Sequence, residues 1–324
     1  MIRRRRLAPL AAGLFAAPAA LAQEGPWPRR PLRLVVAFPP GGLSDVVGRI
    51  VATKLSEALG QPVVVDNRAG AGGTLGTQAA VRAAPDGYTL AFAAPSTHVS
   101  GPILFPSPGY DGVGDVAPVG AFATIASILV VHPSVPAASV AELTALARAQ
   151  PGRINFGSAG SGGSVHLAGE LYKMLARVDI THVPYRGGAA MLTDLLAGRV
   201  QMAFDNLPQI LPHVRSGAMR ALAVTSAERS RFAPELPTMI EGGVPGFDIT
   251  SWFGVTAPLG TPAEIVTRLN AVLRAAVAEQ AVQEQLAGMG AEPLSMTAEG
   301  FGAFLRAERA RYGDIIRVSG ARVD

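Results

Sequence analysis

Two segments of the chain show the same order of signals, and this order restricts the possible folds more than any other feature of the sequence. Residues 32–38 form a short apolar run that ends at Pro39-Pro40-Gly41-Gly42, and apolar residues at helical spacing then continue to Leu59. Residues 153–157 lead in the same way into the glycine-rich segment Ser158–Ser164 and a second helical pattern. A buried strand, a glycine loop and a helix in alternation predict a parallel sheet covered by helices.

The remaining sequence extends this α/β pattern. Further strands are predicted at 62–67, 88–93, 119–131, 179–185, 200–206, 219–225 and 247–258, and further helices at 74–84, 139–150 and 189–197. Capping boxes stand at Ser139–Glu142 and Thr261–Glu264, and helices dominate after the second one.

Length and strand pattern together predict two domains. A chain of 324 residues is long for one core. The apolar stretches at 119–131 and 247–258 are suited to cross between two lobes. We therefore predict two α/β lobes joined by a two-strand hinge, with lobe 1 at 25–123 and 247–324 and lobe 2 at 124–246.

The first 22 residues have the composition of a secretory signal peptide. Arg3–Arg6 form a positive start, an apolar stretch follows, and Ala20-Leu21-Ala22 provides the small residues of a cleavage site. The run of arginines also fits a twin-arginine export signal, so the sequence leaves both export routes open. The apolar stretch is shorter than the roughly 20 residues of a membrane span. We expect a mature protein that is released into the periplasm.

Charge and residue counts exclude several classes of function. The signal segment holds four of the 28 basic residues and none of the 24 acidic residues, so the mature chain carries 24 of each. Its basic residues are dispersed, and nucleic-acid binding is not predicted. The chain contains no cysteine, which excludes disulfides, thiolate metal sites and cysteine nucleophiles. Its five histidines show no metal-ligand spacing, so we expect no metal and no other cofactor.

The two glycine loops carry the functional prediction. The N-terminus of a helix presents unpaired N–H groups and partial positive charge, and glycine lets a ligand approach the backbone. Ser44 or Asp45 is predicted to cap the first helix and Ser164 the second. One such loop alone fits an ordinary connection between strand and helix, whereas two equivalent loops at strand ends favour an anion site. We therefore expect a carboxylate at these loops.

Two glycine motifs raise enzymatic alternatives. Gly70–Gly76 approximates a dinucleotide-binding loop, but it does not follow the first strand and no acidic residue ends the next strand, so nicotinamide binding is not predicted. Gly162-Gly163-Ser164-Val165-His166 departs from the G-x-S-x-G nucleophile elbow at its last position, which leaves a serine hydrolase using Ser164 as a weaker alternative. His166 either faces the ligand or packs beside Glu170 at i+4.

Polar residues stand at two further strand ends. Asp205 and Asn206 end one predicted strand, and Tyr185 ends the strand before it. Asp205 and Asn206 are suited to accept hydrogen bonds from ammonium or hydroxyl groups of a ligand, and equally to cap a loop. Because strand ends at one sheet edge converge, we place these residues at the predicted site.

An ordered series of motifs resembles one protein family over nearly the whole mature chain. The motifs are Trp27-Pro28, Val36–Gly42 with Asp45, Val65–Gly73, Ala84–Tyr88, Gly157–Gly160 with His166-Leu167, His182–Gly188, Arg220–Thr225, Leu236–Thr238 and Trp252–Gly254. This series resembles the substrate-binding proteins of tripartite tricarboxylate transporters, also called Bug (Bordetella uptake gene) proteins. The resemblance implies a type II periplasmic binding-protein fold, no catalysis and a small carboxylate as ligand.

The resemblance also implies the residues of the site and a partner. One carboxylate is expected between the two glycine loops, and Ser96, Thr97, Asp205 and Asn206 are expected at the variable end. The complete predicted site consists of Phe38, Gly41, Gly42, Leu43, Asp45, Ser96, Thr97, Ser158, Ala159, Gly160, Ser161, Ser164, His166, Tyr185, Asp205 and Asn206. The implied partner is a membrane transporter. The alternative function is that of a ligand sensor for a membrane signalling protein. We expect a monomer.

Overall fold

The structure is a computed structural model that describes residues 26–185 and 187–322. The signal peptide predicted at 1–22 lies outside the described residues. In the described part of the chain, no helix is both long and apolar enough to cross a membrane.

Strands and helices alternate through most of the chain, as the sequence predicts. The strands are β1 (Leu32–Val36), β2 (Val63–Asn67), β3 (Thr89–Ala93), β4 (Val116–Val131), β5 (Asn155–Ser158), β6 (Thr181–Pro184), β7 (Met202–Asn206), β8 (Arg220–Val224), β9 (Thr250–Pro258) and β10 (Glu292–Pro293). The helices are α1 (Leu43–Leu59), α2 (Thr74–Val81), α3 (Gly101–Leu104), α4 (Val140–Ala149), α5 (Ser164–Ala176), α6 (Gly188–Leu196), α7 (Leu207–Arg215), α8 (Ala263–Ala278), α9 (Gln280–Gly288) and α10 (Ala298–Ser319). Single helical turns occur at Ala71–Gly73 and Ser96–Ser100.

The strands form one sheet with two parallel parts and an antiparallel centre. β1 lies between β2 and β3 and is parallel to both, while β5 lies between β6 and β7 and is parallel to both. Each pair that involves β4 or β9 is antiparallel. The parallel strands β1–β3 belong to lobe 1 and the parallel strands β5–β7 to lobe 2, on opposite sides of the central strands. β8 adds to lobe 2 through its antiparallel pairing with β4.

β4 is long enough to serve both lobes. Its first part pairs with β9, from Val116 opposite Pro258 to Ala126 opposite Thr250. From Ser127 onward it pairs with β7 and with β8, and β9 in turn pairs with β3. The β4–β9 ladder therefore joins the lobes in the manner predicted for a two-strand hinge. The lobe boundaries at 123–124 and 246–247 stay predictions.

Apolar periodicity in the helices matches the buried core. Val47, Val51 and Leu55 of α1 follow i, i+4, i+8 spacing, and all three are fully buried against β1 and β3 in lobe 1. In the C-terminal segment α8 packs on α1, as expected for a tail that returns to lobe 1. The last helix differs from this expectation, because α10 also packs directly against α5 of lobe 2.

Prolines account for two local differences between sequence and structure. The sequence predicts no helix between 206 and 219, yet α7 occupies Leu207–Arg215. Pro208 lies in the first turn of α7, where a proline is tolerated, and Pro212 lies inside the helix. The capping box predicted at Thr261 is wrong, because the N-cap of α8 is Pro262 and Thr261 Oγ1 donates to Pro258 O at 2.8 Å.

The capping box predicted at Ser139 is confirmed. Ser139 is the N-cap of α4, and its hydroxyl accepts a hydrogen bond from the backbone N–H of Glu142 at 3.2 Å. The Glu142 carboxylate reaches back to the N–H of Ala138 at 2.6 Å. Two N–H groups at the start of the helix are thereby satisfied.

Two buried tyrosines provide a test of packing in the shared core of α5 and α10. Tyr172 and Tyr312 are both fully buried. The Tyr172 hydroxyl lies 2.8 Å from Thr144 Oγ1, whereas the Tyr312 hydroxyl has no hydrogen-bond partner among the described residues. We expect Tyr172→Phe to lower the free energy of unfolding by about 1 kcal/mol and Tyr312→Phe to leave it unchanged or raise it by about 1 kcal/mol.

Urea denaturation of both variants and the wild type measures these changes. An equal loss of stability in the two variants would contradict the difference between the hydroxyls.

Candidate functional site

A cavity of about 500 Å³ lies where the carboxyl ends of β1, β3, β5 and β7 meet the N-termini of α1, α5, α6 and α7. Its lining consists of Phe38, Pro39, Gly42, Leu43, Ser44, Ala94, Pro95, Ser96, Ala159, Gly163, Ser164, Val165, Gly188, Ala189, Asp205, Asn206, Gln209, Ser251 and Phe253. None of these described residues is lysine, arginine or histidine. Backbone N–H groups, small hydroxyls and the side-chain amides of Asn206 and Gln209 are therefore the donors that this lining offers to an anion.

Helix α1 presents its N-terminus to this cavity without a side-chain cap. Its N-cap is Gly42, which follows Gly41 with a φ of 83°, a left-handed conformation that favours glycine. Ser44 and Asp45, predicted as caps, lie inside the first turn instead. The first N–H groups of α1 therefore have no capping side chain and remain available to a ligand.

Asp45 holds the loop before α1 in place. Its carboxylate accepts hydrogen bonds of 2.9 Å from Gly41 N, Arg49 Nε and Asn67 Nδ2. Burial raises the pKa of Asp45, but the hydrogen bonds from Arg49, Gly41 and Asn67 outweigh burial and keep its pKa below the ordinary value. Because the carboxylate is engaged within the protein, Asp45 shapes the loop and does not line the cavity.

Helix α5 presents a second N-terminus without a side-chain cap. Its N-cap is Gly163, and Ser164, predicted as the cap, is the first helical residue. The Ser164 hydroxyl lies 2.6 Å from the Ser251 hydroxyl on β9. Ser100 Oγ donates to Gly162 O at 2.6 Å, so the α5 loop also contacts the segment that follows β3. The two N-termini thus face one cavity from different lobes.

Two stacked histidines support the α5 loop from behind. The rings of His166 and His182 are 3.9 Å apart, and Phe156 stacks on His182. His166 Nδ1 accepts a hydrogen bond from Gly162 N at 3.0 Å, so the neutral ring carries its proton on Nε2, which lies 3.8 Å from Glu170 Oε1. Burial, with His182 and Lys173 nearby, lowers the pKa of His166 to about 3. His166 is therefore neutral at ordinary pH and accepts from the loop.

The second ring of this pair acts through Ser158. Ser158 Oγ donates to Gly160 O at 2.8 Å, so His182 Nε2, 2.7 Å from the same oxygen, is the donor to Ser158. Burial lowers the pKa of His182 to about 4, with a further contribution from Lys173. Both imidazoles thus fix the backbone of the loop in their neutral forms.

Asp205 is the ionisable residue of the cavity lining. It ends β7 with only 4% of its surface exposed. One carboxylate oxygen accepts from Asn206 N at 2.7 Å, and the other has no partner among the described residues. Burial raises the pKa of Asp205 to about 6, although the Asn206 N–H opposes this effect.

The structure brings part of the predicted site together. Phe38, Gly42, Leu43, Ser96, Ala159, Ser164, Asp205 and Asn206 line the cavity, and Gly160 and Ser161 line an adjoining cavity of about 360 Å³. Gly41, Asp45, Thr97, Ser158, His166 and Tyr185 line neither cavity. Thr97 Oγ1 bonds to the backbone of Ala94, and the Tyr185 hydroxyl donates to Asp194. These residues position the lining and do not form it.

Several lining residues were not predicted from the sequence. Gln209 lies on α7, which the sequence pattern does not reveal. Ser251 and Phe253 lie within β9, where no local signal distinguishes a lining residue from a core residue. Gly188 and Ala189 begin α6, and the glycine pair before that predicted helix was the one available signal.

The glycines at 70–76 have a packing explanation. A Cβ at Gly76 would clash with the carbonyl of Arg68, and a Cβ at Gly73 would lie 2.7 Å from the Thr97 methyl group. The close approach of α2 to the strand ends therefore explains Gly73 and Gly76.

Comparisons with known proteins agree with this architecture. The family described as "Tripartite tricarboxylate transporter family receptor" matches residues 47–321. Protein BugT of Bordetella pertussis (strain Tohama I) is 39% identical over 315 residues, which cover 96% of this chain and 97% of BugT.

Solved structures show the same fold. R. palustris Rpa4515 with adipate is 39% identical with a TM-score of 0.81, and the match covers 92% of this chain and 100% of that chain. The periplasmic binding protein BugD is 32% identical with a TM-score of 0.77 and coverages of 92% and 100%. MatC from Rhodopseudomonas palustris with bound malate is 31% identical with a TM-score of 0.76 and coverages of 90% and 100%. The predicted two-lobe α/β fold is confirmed.

The neutral state of His166 predicts a pH dependence of stability. Its pKa is lowered in the folded state from 6.5 to about 3, so the unfolded chain binds this proton first as the pH falls. The stability contributed by neutral His166 is complete above pH 6.5 and is lost progressively toward pH 3, by about 1.4 kcal/mol per pH unit.

His166→Asn keeps an acceptor near the position of Nδ1 and removes the titration. We expect the free energy of unfolding of this variant to fall less steeply between pH 6.5 and 4.5 than that of the wild type, by about 1.4 kcal/mol per pH unit. Denaturant unfolding at several pH values measures both slopes. Identical slopes would mean that His166 is already protonated in the folded protein.

Proposed function

The chain belongs to the tripartite tricarboxylate transporter receptor family, and we propose on this premise that it is a periplasmic solute-binding protein that captures a small carboxylate-bearing metabolite. The resemblance inferred from the sequence motifs is thereby confirmed. Adipate and malate, the ligands of the related Rpa4515 and MatC, are both small carboxylates.

One observation supports the carboxylate most strongly. The N-termini of α1 and α5 face the same cavity, both are capped by glycine, and the described lining contains no cationic side chain. In the proposed complex, the first-turn N–H groups of the two helices donate to the carboxylate. The partial positive charge of each helix N-terminus adds to this attraction.

The charge of the helix termini is not sufficient for tight binding. Each terminus contributes about 0.3–2 kcal/mol, whereas a micromolar Kd corresponds to about 8 kcal/mol. The difference must come from several N–H hydrogen bonds and from burial of the ligand against apolar lining such as Phe38, Leu43 and Phe253. Both contributions require that the cavity exclude water when the ligand is bound.

Closure of the two lobes is the proposed mechanism of this exclusion. The α1 loop belongs to lobe 1 and the α5 loop to lobe 2, so each lobe carries half of the anion site. Two contacts join the α5 loop to other parts of the protein. The Ser100 hydroxyl of lobe 1 donates to Gly162 O, and the Ser164 hydroxyl contacts the Ser251 hydroxyl of β9. We propose that a membrane transporter of the tripartite type recognises the closed form.

The surroundings of Ser164 support a binding function over hydrolysis. Its hydroxyl lies beside the Ser251 hydroxyl, and the nearby His166 uses Nδ1 to accept from Gly162 N. Among the described residues, Ser164 therefore has no histidine partner to act as its general base. The serine hydrolase alternative is not favoured by this geometry.

A thermal-shift screen tests the proposed ligand class. The probes are simple mono-, di- and tricarboxylates together with hydroxy and amino acids, including adipate and malate. We expect at least one carboxylate to stabilise the protein, by about 2.7 kcal/mol at a concentration of 100 times its Kd. Failure of every carboxylate in the screen to stabilise the protein would contradict the proposal.

Two glycine substitutions locate the site. A Cβ at Gly163 meets nothing within 4 Å, and its backbone has a φ of −73°, so Gly163→Leu fits the fold and places its side chain at the cavity. Gly288→Leu on α9 is the matched control, because a Cβ there also meets nothing within 4 Å and Gly288 lies outside the cavity lining.

We expect both leucine variants to keep the unfolding temperature of the ligand-free protein. The carboxylate identified in the screen should lose at least tenfold in affinity for Gly163→Leu and keep its affinity for Gly288→Leu, as measured by calorimetry. Unchanged binding by Gly163→Leu would place the ligand elsewhere.

A further inference from the structure

Asp205 has a carboxylate oxygen that the folded protein leaves unused at the cavity. Asp205 is 4% exposed and lies in the lining beside Asn206. Its Oδ1 accepts from Asn206 N at 2.7 Å, and its Oδ2 has no partner among the described residues. Buried polar atoms in proteins are nearly always hydrogen-bonded, so an unpartnered carboxylate oxygen at a cavity indicates a missing donor.

The elements packed around Asp205 provide no compensating charge among the described residues. β4 pairs with β7 through Ser127–Val131, and β5 through Phe156 and Gly157, and these segments contain no titratable residue. α7 carries His213 and Arg215 in its last turn, at the opposite end from Asp205. α5 also packs against β7, but its His166 is neutral and its Lys173 is paired with Glu170 at 3.0 Å. On α6, Asp194 is engaged with the Tyr185 hydroxyl and Arg199.

A second acceptor at the same strand end also lacks a donor. Asn206 Oδ1 is buried and has no hydrogen-bond partner among the described residues. Asn206 is the N-cap of α7, yet its side chain makes no cap hydrogen bond. The β7 end of the cavity therefore presents two unpartnered acceptor oxygens beside the amide donors of Asn206 and Gln209, whereas the N-termini of α1 and α5 contribute N–H donors.

This asymmetry has a consequence for the ligand. A simple carboxylate satisfies the N–H donors but brings a negative charge into a cavity that already contains Asp205. A ligand that also carries an amino or hydroxyl group supplies the missing donor and offsets this repulsion.

We propose, on the basis of the function proposed above, that Asp205 Oδ2 accepts a hydrogen bond from an amino or hydroxyl group of the ligand. The protein then prefers amino- or hydroxy-carboxylates to the unsubstituted acids of the same length. Asp205 is thus a specificity-determining residue, while the helix N-termini bind the carboxylate that all these ligands share.

Two matched series of acids test this preference. Succinate, malate and aspartate share one carbon skeleton and differ in a hydrogen, hydroxyl or ammonium group, and propionate, lactate and alanine form the corresponding monocarboxylate series. Calorimetry with the purified wild-type protein should give affinities at least tenfold higher for the donor-bearing acids of the series that binds. Equal or tighter binding of the unsubstituted acid would overturn the proposal.

Asp205→Asn separates the role of the second oxygen from that of the fold. Asparagine has one acceptor oxygen and no charge, so when this oxygen accepts from Asn206 N, an N–H donor takes the place of Oδ2. We expect at least a tenfold loss of affinity for the amino acid of the series, because its ammonium group cannot accept from the new amide N–H, and less than a twofold loss for the unsubstituted acid. Asp314→Asn, on α10 outside the cavity lining, should leave all affinities unchanged.

The pH dependence of selectivity provides an independent measurement. Because burial raises the pKa of Asp205 to about 6, the ratio of aspartate to succinate affinity should fall as the pH is lowered from 8 to 5. The same ratio measured for Asp205→Asn corrects for the titration of the ligands themselves. At pH 8 we expect the ratio of the variant to be lower than that of the wild type. A wild-type ratio with the same pH profile as the variant would overturn the proposal.

The outcomes distinguish this inference from the proposed function. If adipate or another unsubstituted carboxylate binds and none of the six matched acids does, the inference about Asp205 is wrong and the proposed function stands. If no carboxylate binds in any assay, the proposed function itself fails.

Discussion

The antiparallel ladder between β4 and β9 is the interaction on which the rest of the structure depends. β9 pairs with β3 of lobe 1, and the far half of β4 pairs with β7 and β8 of lobe 2. Because both lobes attach to this one ladder, the carboxyl ends of their parallel strands meet at a common cavity. Neither lobe alone contains both helix N-termini of the site, so the ladder determines the site as well as the fold.

The chemistry of the cavity follows from how the polar residues around it are used. Asp45, His166 and Ser158 hold the two glycine loops and do not line the cavity. The loops can therefore present backbone N–H groups to a ligand in a fixed geometry, and such preorganised donors lose little freedom on binding. Asp205 is the exception, because one of its oxygens remains without a partner among the described residues.

The sequence predicts those parts of the site that depend on local signals. A glycine loop between an apolar strand and a helix identifies the helix N-termini at Gly42 and Ser164, and a polar residue at a strand end points to Asp205. All three residues line the cavity. Spacing could not decide which way His166 faces, and stacking on His182 turns it behind the loop. Pro208 and Pro212 argue against a helix in this part of the sequence, so neither α7 nor Gln209 on it was predicted. Ser251 reaches the cavity through pairing of distant strands, which no local pattern encodes.

The central claim is that one carboxylate binds between the N-termini of α1 and α5, and backbone amide NMR tests it most directly. A ¹⁵N-labelled protein is titrated with a carboxylate that binds, and the amide shifts are followed residue by residue. The account predicts that the largest changes include the amides of Leu43–Asp45 and Ser164–His166, which move together at one affinity. Unchanged shifts at both N-termini, with changes confined to other surfaces, would contradict it.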